Sequence, residues 1–342
     1  MDKKTLTISV AAYNVEDCLG RCLDAFIDTD VFNDLEIIVV NDGSKDSTAS
    51  LAASYAEKYP DVIRLIDKEN GGHGSTINAS IKAASAAYYK VVDADDWVDK
   101  EGLERLISFL KKTDADLVIN PYRYIDAASL APRSVRTPFN ENIRCGMVME
   151  WKDAADDVYM EMHALTYKTG VVKSMGPVID EKCFYVDIEY ALLSLEHVKT
   201  LVCLDWPVYQ YLVGSSEQSV NSDVMVRRRA QHLRVFERLA CYYEESKDRL
   251  EDKTRMVILS RLRYMAMSHY KIIFRTETAR AKKEIAEFDS WLKAASPEIY
   301  EGPNESAMKA VRVLRKTRFR LYGPFIAAMK TRWKMKGQSD II

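Results

Sequence analysis

The chain has 342 residues, 47% apolar and 29% charged, with 49 Lys+Arg against 51 Asp+Glu and a formal net charge of -2. That length can bury a large core and suggests two domains, or one with a substantial extension, and the composition excludes a disordered or collagen-like protein. Balanced charge speaks against a uniformly basic nucleic-acid binder, and six cysteines without a CxxC pair speak against a disulfide framework or zinc site. No apolar run approaches the ~18 residues of a membrane-spanning helix. The opening MDKKTLTISV lacks the apolar stretch of a signal peptide, so the expectation is a cytoplasmic chain.

The first third alternates strand and helix. LTISVA at 6–11 is short, apolar and β-branched, as a buried parallel strand is. Asp17 is placed to cap a helix with Leu19, Cys22, Leu23, Phe26 and Ile27 at helical spacing. LEIIVV at 35–40 is a second strand ending in Asn41, Asp42, Gly43 and Ser44, and the helix over 47–59 stops at Pro60. A third strand over 62–67 leads to the turn Gly71-Gly72-His73-Gly74, where Ser75 or Thr76 caps the next helix. The fourth strand, 88–92, runs into Asp93, Ala94, Asp95, Asp96 and Trp97; if that cluster is only structural, Asp95 or Asp96 caps a helix over 100–111. Such alternation implies an α/β fold whose parallel sheet has helices on both faces and binds ligands at the carboxyl ends of its strands.

Asp93, Asp95 and Asp96 repel one another unless a cation sits among them, and a divalent metal with oxygen ligands is the simplest partner. Asp42 reads either as an Asx turn or as an acceptor for a base or ribose. The glycines let backbone approach phosphates, yet they match neither the P-loop nor the GxGxxG order.

EIIVVNDGSKDST (36–48), ENGGHGSTINASIKAA (69–84) and VVDADDW (91–97), in that order, resemble the nucleotide-sugar domain of family 2 glycosyltransferases with the GT-A fold. The resemblance implies single displacement with inversion. It makes Asp42 the uracil contact and places Tyr13 and Asn14 beside the nucleotide. Asp93, Ala94 and Asp95 become the DxD motif, with Asp93 on the donor and Asp95 holding Mn²⁺ or Mg²⁺ at the diphosphate. Asn41 stands where an acid is commoner. His73 with Thr76, Ile77 and Asn78 replaces a small residue and an Arg-Asn pair, so a positive charge near the diphosphate falls to His73 or Lys68. Gly72 and Asn78 are further donor-side positions.

Downstream, 103–110 reads as helix, DLVINPY at 116–122 as a strand ending near Arg123, and 127–145 as a loop or a pair of irregular edge strands. His163, ahead of a short helix around 170–175, is either a packed histidine or a contact to sugar or acceptor. In CFYVDIEYALLSL (183–195), Asp187 resembles the general base of the family's Glu-Asp pair, with Val186 replacing the Glu; read without the family it is an N-cap. Tyr209, Tyr211 and the stretch GSSEQSV (214–220) resemble the family's acceptor loop, and Tyr211, Asp96 and Trp97 join His163 as acceptor or sugar contacts.

From 223 to 291 the chain keeps helical periodicity, as in Leu233, Phe236, Leu239, Ala240 and Tyr243. Residues 306–342 then carry +9, leaving -11 on residues 1–305. The bases interleave with Val311, Leu314, Phe319, Tyr322, Phe325, Ile326, Met329 and Trp333. That stripe either packs on the helical domain or lies on an anionic bilayer, at the inner face of the cell membrane, where a lipid-linked acceptor would be met.

The expected organisation is a nucleotide-sugar half (1–120), an acceptor half (121–222), a helical domain (223–302) and a basic amphipathic segment (303–342). The expected function is metal-dependent transfer from a nucleotide diphosphate sugar, UDP-linked, to a hydroxyl of a glycan or lipid-linked acceptor in cell-surface polysaccharide synthesis, with no nucleic acid partner. A nucleotidyltransferase would need a glycine-rich basic loop where AAYNVEDC stands, and a dehalogenase-like phosphatase would need its Asp pair after the first strand. The non-enzymatic alternative is a scaffold that binds sugar nucleotide or membrane without turnover.

Overall fold

In the computed structural model the early apolar runs become the parallel heart of a sheet. Residues 3–176, 178–214, 222–276, 278–303 and 306–328 are described, and the chain divides into two compact units, 1–215 and 216–342. The first unit opens with β1 (Leu6–Ala12), α1 (Leu19–Ile27), β2 (Leu35–Asp42), α2 (Thr48–Lys58), β3 (Ile63–Lys68), α3 (His73–Ala83) and β4 (Tyr88–Asp93). These four strands are parallel, ordered β3-β2-β1-β4, with Ile8 opposite both Ile37 and Lys90. Cover on both faces explains why Ile8, Val10, Ile37, Val39 and Val91 are fully buried.

The unit continues through β5 (Trp97–Val98), α4 (Lys100–Leu110), β6 (Leu117–Ile119), β7 (Tyr122–Asp126), β8 (Pro132–Arg136), β9 (Met149–Glu150), α5 (Trp151–Ala154), β10 (Leu165–Lys168), α6 (Thr169–Ser174), α7 (Asp187–Leu193), β11 (Thr200–Cys203) and β12 (Tyr209–Val213). Strand β10 enters antiparallel beside β4, so the described sheet runs β3-β2-β1-β4-β10-β6-β11-β9. A second sheet has the order β5-β12-β7-β8. The single strand expected over 116–122 is therefore two strands in different sheets, divided near Pro121, which has no N–H to give a ladder. Within 127–145 the edge strand β8 forms, with an isolated bridge between Phe139 and Val158.

Helix α4 is capped by Asp99, which accepts from the Gly102 N–H at 2.9 Å, rather than by Asp95 or Asp96. Helices α1 and α3 start after Cys18 and Gly72 without a side-chain cap, so Asp17, Ser75 and Thr76 do not serve as caps.

The second unit comprises α8 (Ser222–Arg227), α9 (Arg229–Ser246), α10 (Asp252–Arg275), α11 (Thr278–Ala295), α12 (Pro297–Glu301) and α13 (Ser306–Lys316). Arg315 joins α13 to α11 through Asp289 at 2.6 Å, and Tyr270 of α10 donates to the same carboxylate at 2.7 Å. Val311, Leu314, Phe319, Tyr322 and Ile326 are buried, so the apolar stripe packs within the helical unit as far as Ile326. Lys309, Lys316, Arg318 and Arg320 stay exposed. Met329, Trp333 and residues 215–220 of the expected acceptor loop lie outside the described residues. No described helix is long and apolar enough to cross a membrane.

Candidate active site

The carboxyl ends of β1, β2 and β4 open onto one cavity of about 610 Å³, lined by Tyr13, Asp42, Gly72, His73, Asp93 and Asp95 and closed on another side by Lys182, Cys183 and Phe184. Tyr13 is half exposed there. Asn14, in the left-handed region at φ 51, accepts from the Lys45 N–H at 2.8 Å and donates its own N–H to Ser44 at 3.0 Å, fixing the end of β1 to the turn after β2.

Asp42 is 2% exposed. Its Oδ1 accepts from Lys68 at 2.9 Å, Gly71 N–H at 2.8 Å and Ser75 at 3.1 Å, while Oδ2 accepts only the Gly72 N–H at 2.7 Å among the described bonds. One lone pair of Oδ2 therefore remains for a ligand. Lys68 also donates to Ser75 at 2.9 Å and to the Glu69 carbonyl at 2.6 Å, so it braces Asp42 from behind instead of facing a diphosphate.

The glycine turn has a second task. A side chain at Gly74 would meet the Asp180 carbonyl oxygen at 1.9 Å, and one at Gly72, where φ is 79, would meet Lys182 N at 3.0 Å. Backbone 179–183 thus lies directly on the turn. Asn78 is spent there as well: it donates to the Ile179 carbonyl at 2.8 Å and accepts its N–H at 3.0 Å. Asn78, expected at the donor, is accordingly a clamp on this segment. Lys182 and Tyr185 hold positive φ just before Asp187, a local strain that packing maintains.

The three carboxylates after β4 divide. His73 Nε2 lies 3.0 Å from Asp93 Oδ1, in ion-pair range though off the line of a hydrogen bond. Burial, the largest single influence, would lower the imidazole pKa, but Asp93 together with the charges of Asp187 and Asp95 outweighs it and the net shift is upward. Asp96 is 1% exposed and both its oxygens are taken, by the Tyr209 hydroxyl at 2.6 Å and the Leu212 N–H at 2.7 Å. It anchors β12 instead of facing the cavity. Asp95 opens into the cavity yet is walled by protein, and this partial burial, with the charge of Asp93, raises it to about 6. Arg21 donates to the Asp95 carbonyl at 2.9 Å and lies 4.4 Å above the Trp97 ring, so Trp97 supports the turn from below.

Ligand atoms of Asp93, Asp96 and His163 lie within 4.8 Å of one another. Hard oxygen donors with too few cations beside them, plus one imidazole, suit a divalent metal. His163 also stacks on Tyr211 at 4.1 Å and meets Tyr209 edge-on at 4.9 Å. Asp187 is the first residue of α7, and its charge reaches His73, His163 and Tyr211. Val186, not Asp187, takes the N-cap position, and it offers no capping side chain.

The residues the sequence reading passed over are Lys182 and Phe184 at the cavity, Lys90 beneath it, and Tyr122 and Tyr124 of β7. Lys90 is fully buried and donates to the His163 and Leu165 carbonyls at 2.8 and 3.2 Å, and burial lowers it to about 7. The available signal was the repeated Tyr-x-Tyr: YRY at 122–124 and YQY at 209–211.

Residues 7–164 match the family model described as Glycosyl transferase family 2. A poly(ribitol-phosphate) beta-glucosyltransferase of Bacillus spizizenii is 32% identical over 140 residues, 40% of this chain and 22% of that protein. The chain spans about a fifth of the length of such curated relatives. Staphylococcus aureus TarS 1-349 in complex with UDP-GlcNAc superposes with a TM-score of 0.64 at 16% identity, covering 99% of this chain and 94% of that one. Mannosyltransferase PcManGT from Pyrobaculum calidifontis, in complex with GDP-Man and Mn2+, gives 0.52 at 15% identity, covering 97% and 88%. With its three strand-end motifs gathered on one cavity of an α/β unit, the chain carries a segment, 7–164, that matches glycosyl transferase family 2, and it has the GT-A fold.

Proposed function

We propose that the chain is a metal-dependent inverting glycosyltransferase that moves a sugar from a UDP-linked donor to a hydroxyl of a glycan or lipid-linked acceptor, in cell-surface polysaccharide synthesis. The observation that carries the reading is the convergence of Asp42, His73, Asp93 and Asp95 on one cavity, with the charge of Asp187 bearing on His73 there and on His163. The free lone pair of Asp42 Oδ2 accepts a base N–H, and the pinned Gly71 and Gly72 amides hold that carboxylate still. Tyr13 offers its half-exposed ring to the nucleotide. Lys182, one of the residues that line the cavity, supplies the diphosphate cation that Lys68 is too engaged to give.

A divalent cation supplies Lewis-acid neutralisation of the leaving diphosphate when bound, and Asp95 would hold it beside the group formed by Asp93, Asp96 and His163. An acceptor hydroxyl attacks well only as its proton leaves, and Asp187 takes that proton. The exposed bases of the last described segment, Lys309, Lys316, Arg318 and Arg320, suit a peripheral position on an anionic membrane. Asp187→Asn tests the assignment: donor binding by calorimetry should persist while transfer falls ~10³-fold or more. Parallel loss of donor affinity and rate would remove Asp187 from the role of base.

A further inference from the structure

The second sheet carries an arrangement that the donor site does not use. Parallel pairing of β7 with β12 sets Tyr122 beside Tyr209 and Tyr124 beside Tyr211, so four tyrosines stand on one face. The intervening Arg123 and Gln210 share the opposite face, where Arg123 donates to Gln210 at 3.1 Å and to Asp99 at 3.2 Å. Tyr122 and Tyr209 are buried, while Tyr124 and Tyr211 remain partly open.

The open rings are held in place. Tyr211 is clamped by the stacked His163 at 4.1 Å and lies 5.8 Å from Tyr124. The Tyr124 hydroxyl is 3.2 Å from that of Tyr122, which donates to Glu161 at 3.1 Å, and Glu161 is paired with Arg136 at 2.8 Å. The platform adjoins the reacting groups: Tyr209 donates to Asp96 and accepts from the Asp93 N–H, and Tyr211 lies in the fields of Asp93, Asp95, Asp96 and Asp187.

We infer that this tyrosine face is the acceptor subsite and that it takes a neutral pyranose ring, stacked on Tyr124 and Tyr211, with the Glu161–Arg136 pair at its rim. The inference rests on the donor and base reading above. One face of a pyranose presents axial C–H bonds, weakly positive, which suit the negative face of an aromatic ring. An acyclic polyol phosphate has no such face and would bring its charge toward four carboxylates. At the rim, Arg136 is already paired with Glu161, which weakens its pull on such a charge. Partly open rings already held in position also lose little entropy on binding.

The test uses the full chain with Mn²⁺ and UDP or GDP, and reads saturation-transfer NMR to methyl β-pyranosides and to ribitol 5-phosphate. Wild type should saturate the axial ring protons of a pyranoside and leave ribitol 5-phosphate silent. Tyr124→Leu and Tyr211→Leu should each weaken pyranoside binding ~10-fold while keeping the thermal shift produced by the nucleotide. Tyr124→Phe, which keeps the ring, should bind within ~3-fold of wild type and separates lost stacking from damaged folding. Pyranoside binding unchanged in the leucine variants, or saturation of ribitol 5-phosphate, overturns the platform. A wild type that answers to a nucleotide but to no pyranoside overturns the platform alone. A wild type that answers to no nucleotide overturns the donor reading beneath it.

Discussion

Two charge clusters, one in each unit, are built on opposite plans. In the helical unit, Asp289 receives the Arg315 guanidinium at 2.6 Å and the Tyr270 hydroxyl at 2.7 Å, and Arg315 also lies 3.5 Å over the Tyr300 ring. Charge and hydrogen bonds there are matched. After β4, Asp93, Asp95 and Asp96 crowd together with His73 beside one of them and Arg21 bonded, among the described residues, to a backbone carbonyl. A cluster that folding alone leaves short of cations is one completed by a ligand, whereas a matched cluster belongs to the scaffold.

Exchanging one charge in each cluster would break this contrast most sharply. Asp95→Asn should cut transfer by ~10³-fold or more while the metal-free protein melts no lower than wild type, because a like charge has been removed. A drop in melting temperature would mean that Asp95 is structural, and the contrast fails. Arg315→Met should do the reverse. It strands Asp289 without its cation, at a cost of ~3–5 kcal/mol in urea unfolding, and pairing it with Asp289→Asn should recover most of that loss.

How much of this was legible beforehand follows from the range of the interactions. LTISVA and LEIIVV declare themselves because both of their faces are buried, and the polar residues that end those strands fall where a parallel sheet gathers them. Asp42, Asp93 and Asp95 were readable for that reason. The fate of Asp96 was not, because its partner Tyr209 is 113 residues away. The clamp by Asn78 on residue 179 spans 101 residues, and the tyrosine platform depends on the register between β7 and β12. Local pattern showed two Tyr-x-Tyr strings but not their pairing. Lys90 sits inside an apolar strand as an apparent exception, and only the carbonyls of residues 163 and 165 explain it.

A gentler probe of the matched unit is acid. His232 and His269 are buried and stacked 5.3 Å apart, burial with Arg261 nearby lowers His232 to about 4, and burial with His232 and Arg229 lowers His269 well below 6.5. Folded histidines that resist protonation leave the unfolded chain to take up protons first, so stability is full above about 6.5 and declines as pH falls toward 4. Moving from pH 7 to pH 5 should remove ~2 kcal/mol through His232 alone, read by urea unfolding. His232→Leu should flatten that part of the dependence, and an unchanged slope would mean that the His232 ring does not set it.

The smallest expected effect concerns Asn41, which stands where an acid is commoner in the family. Asn41 is 2% exposed and its amide donates to Asp67 Oδ1 at 2.7 Å, while its oxygen accepts from the Ser44 hydroxyl at 2.5 Å and the Ser44 N–H at 3.4 Å. Asn41→Asp would keep the Ser44 contacts, since an acid accepts as an amide does, but would face one carboxylate with another. Asp67 is exposed, so water screens the repulsion and the loss should be ~1 kcal/mol. Asp67→Asn in the same chain should restore the bond with its polarity reversed and return the stability, with transfer within ~3-fold of wild type throughout. If Asn41→Asp instead changes donor affinity while stability holds, position 41 acts on the nucleotide directly, and the shortage of cations that marks the donor site begins one strand earlier than Asp93.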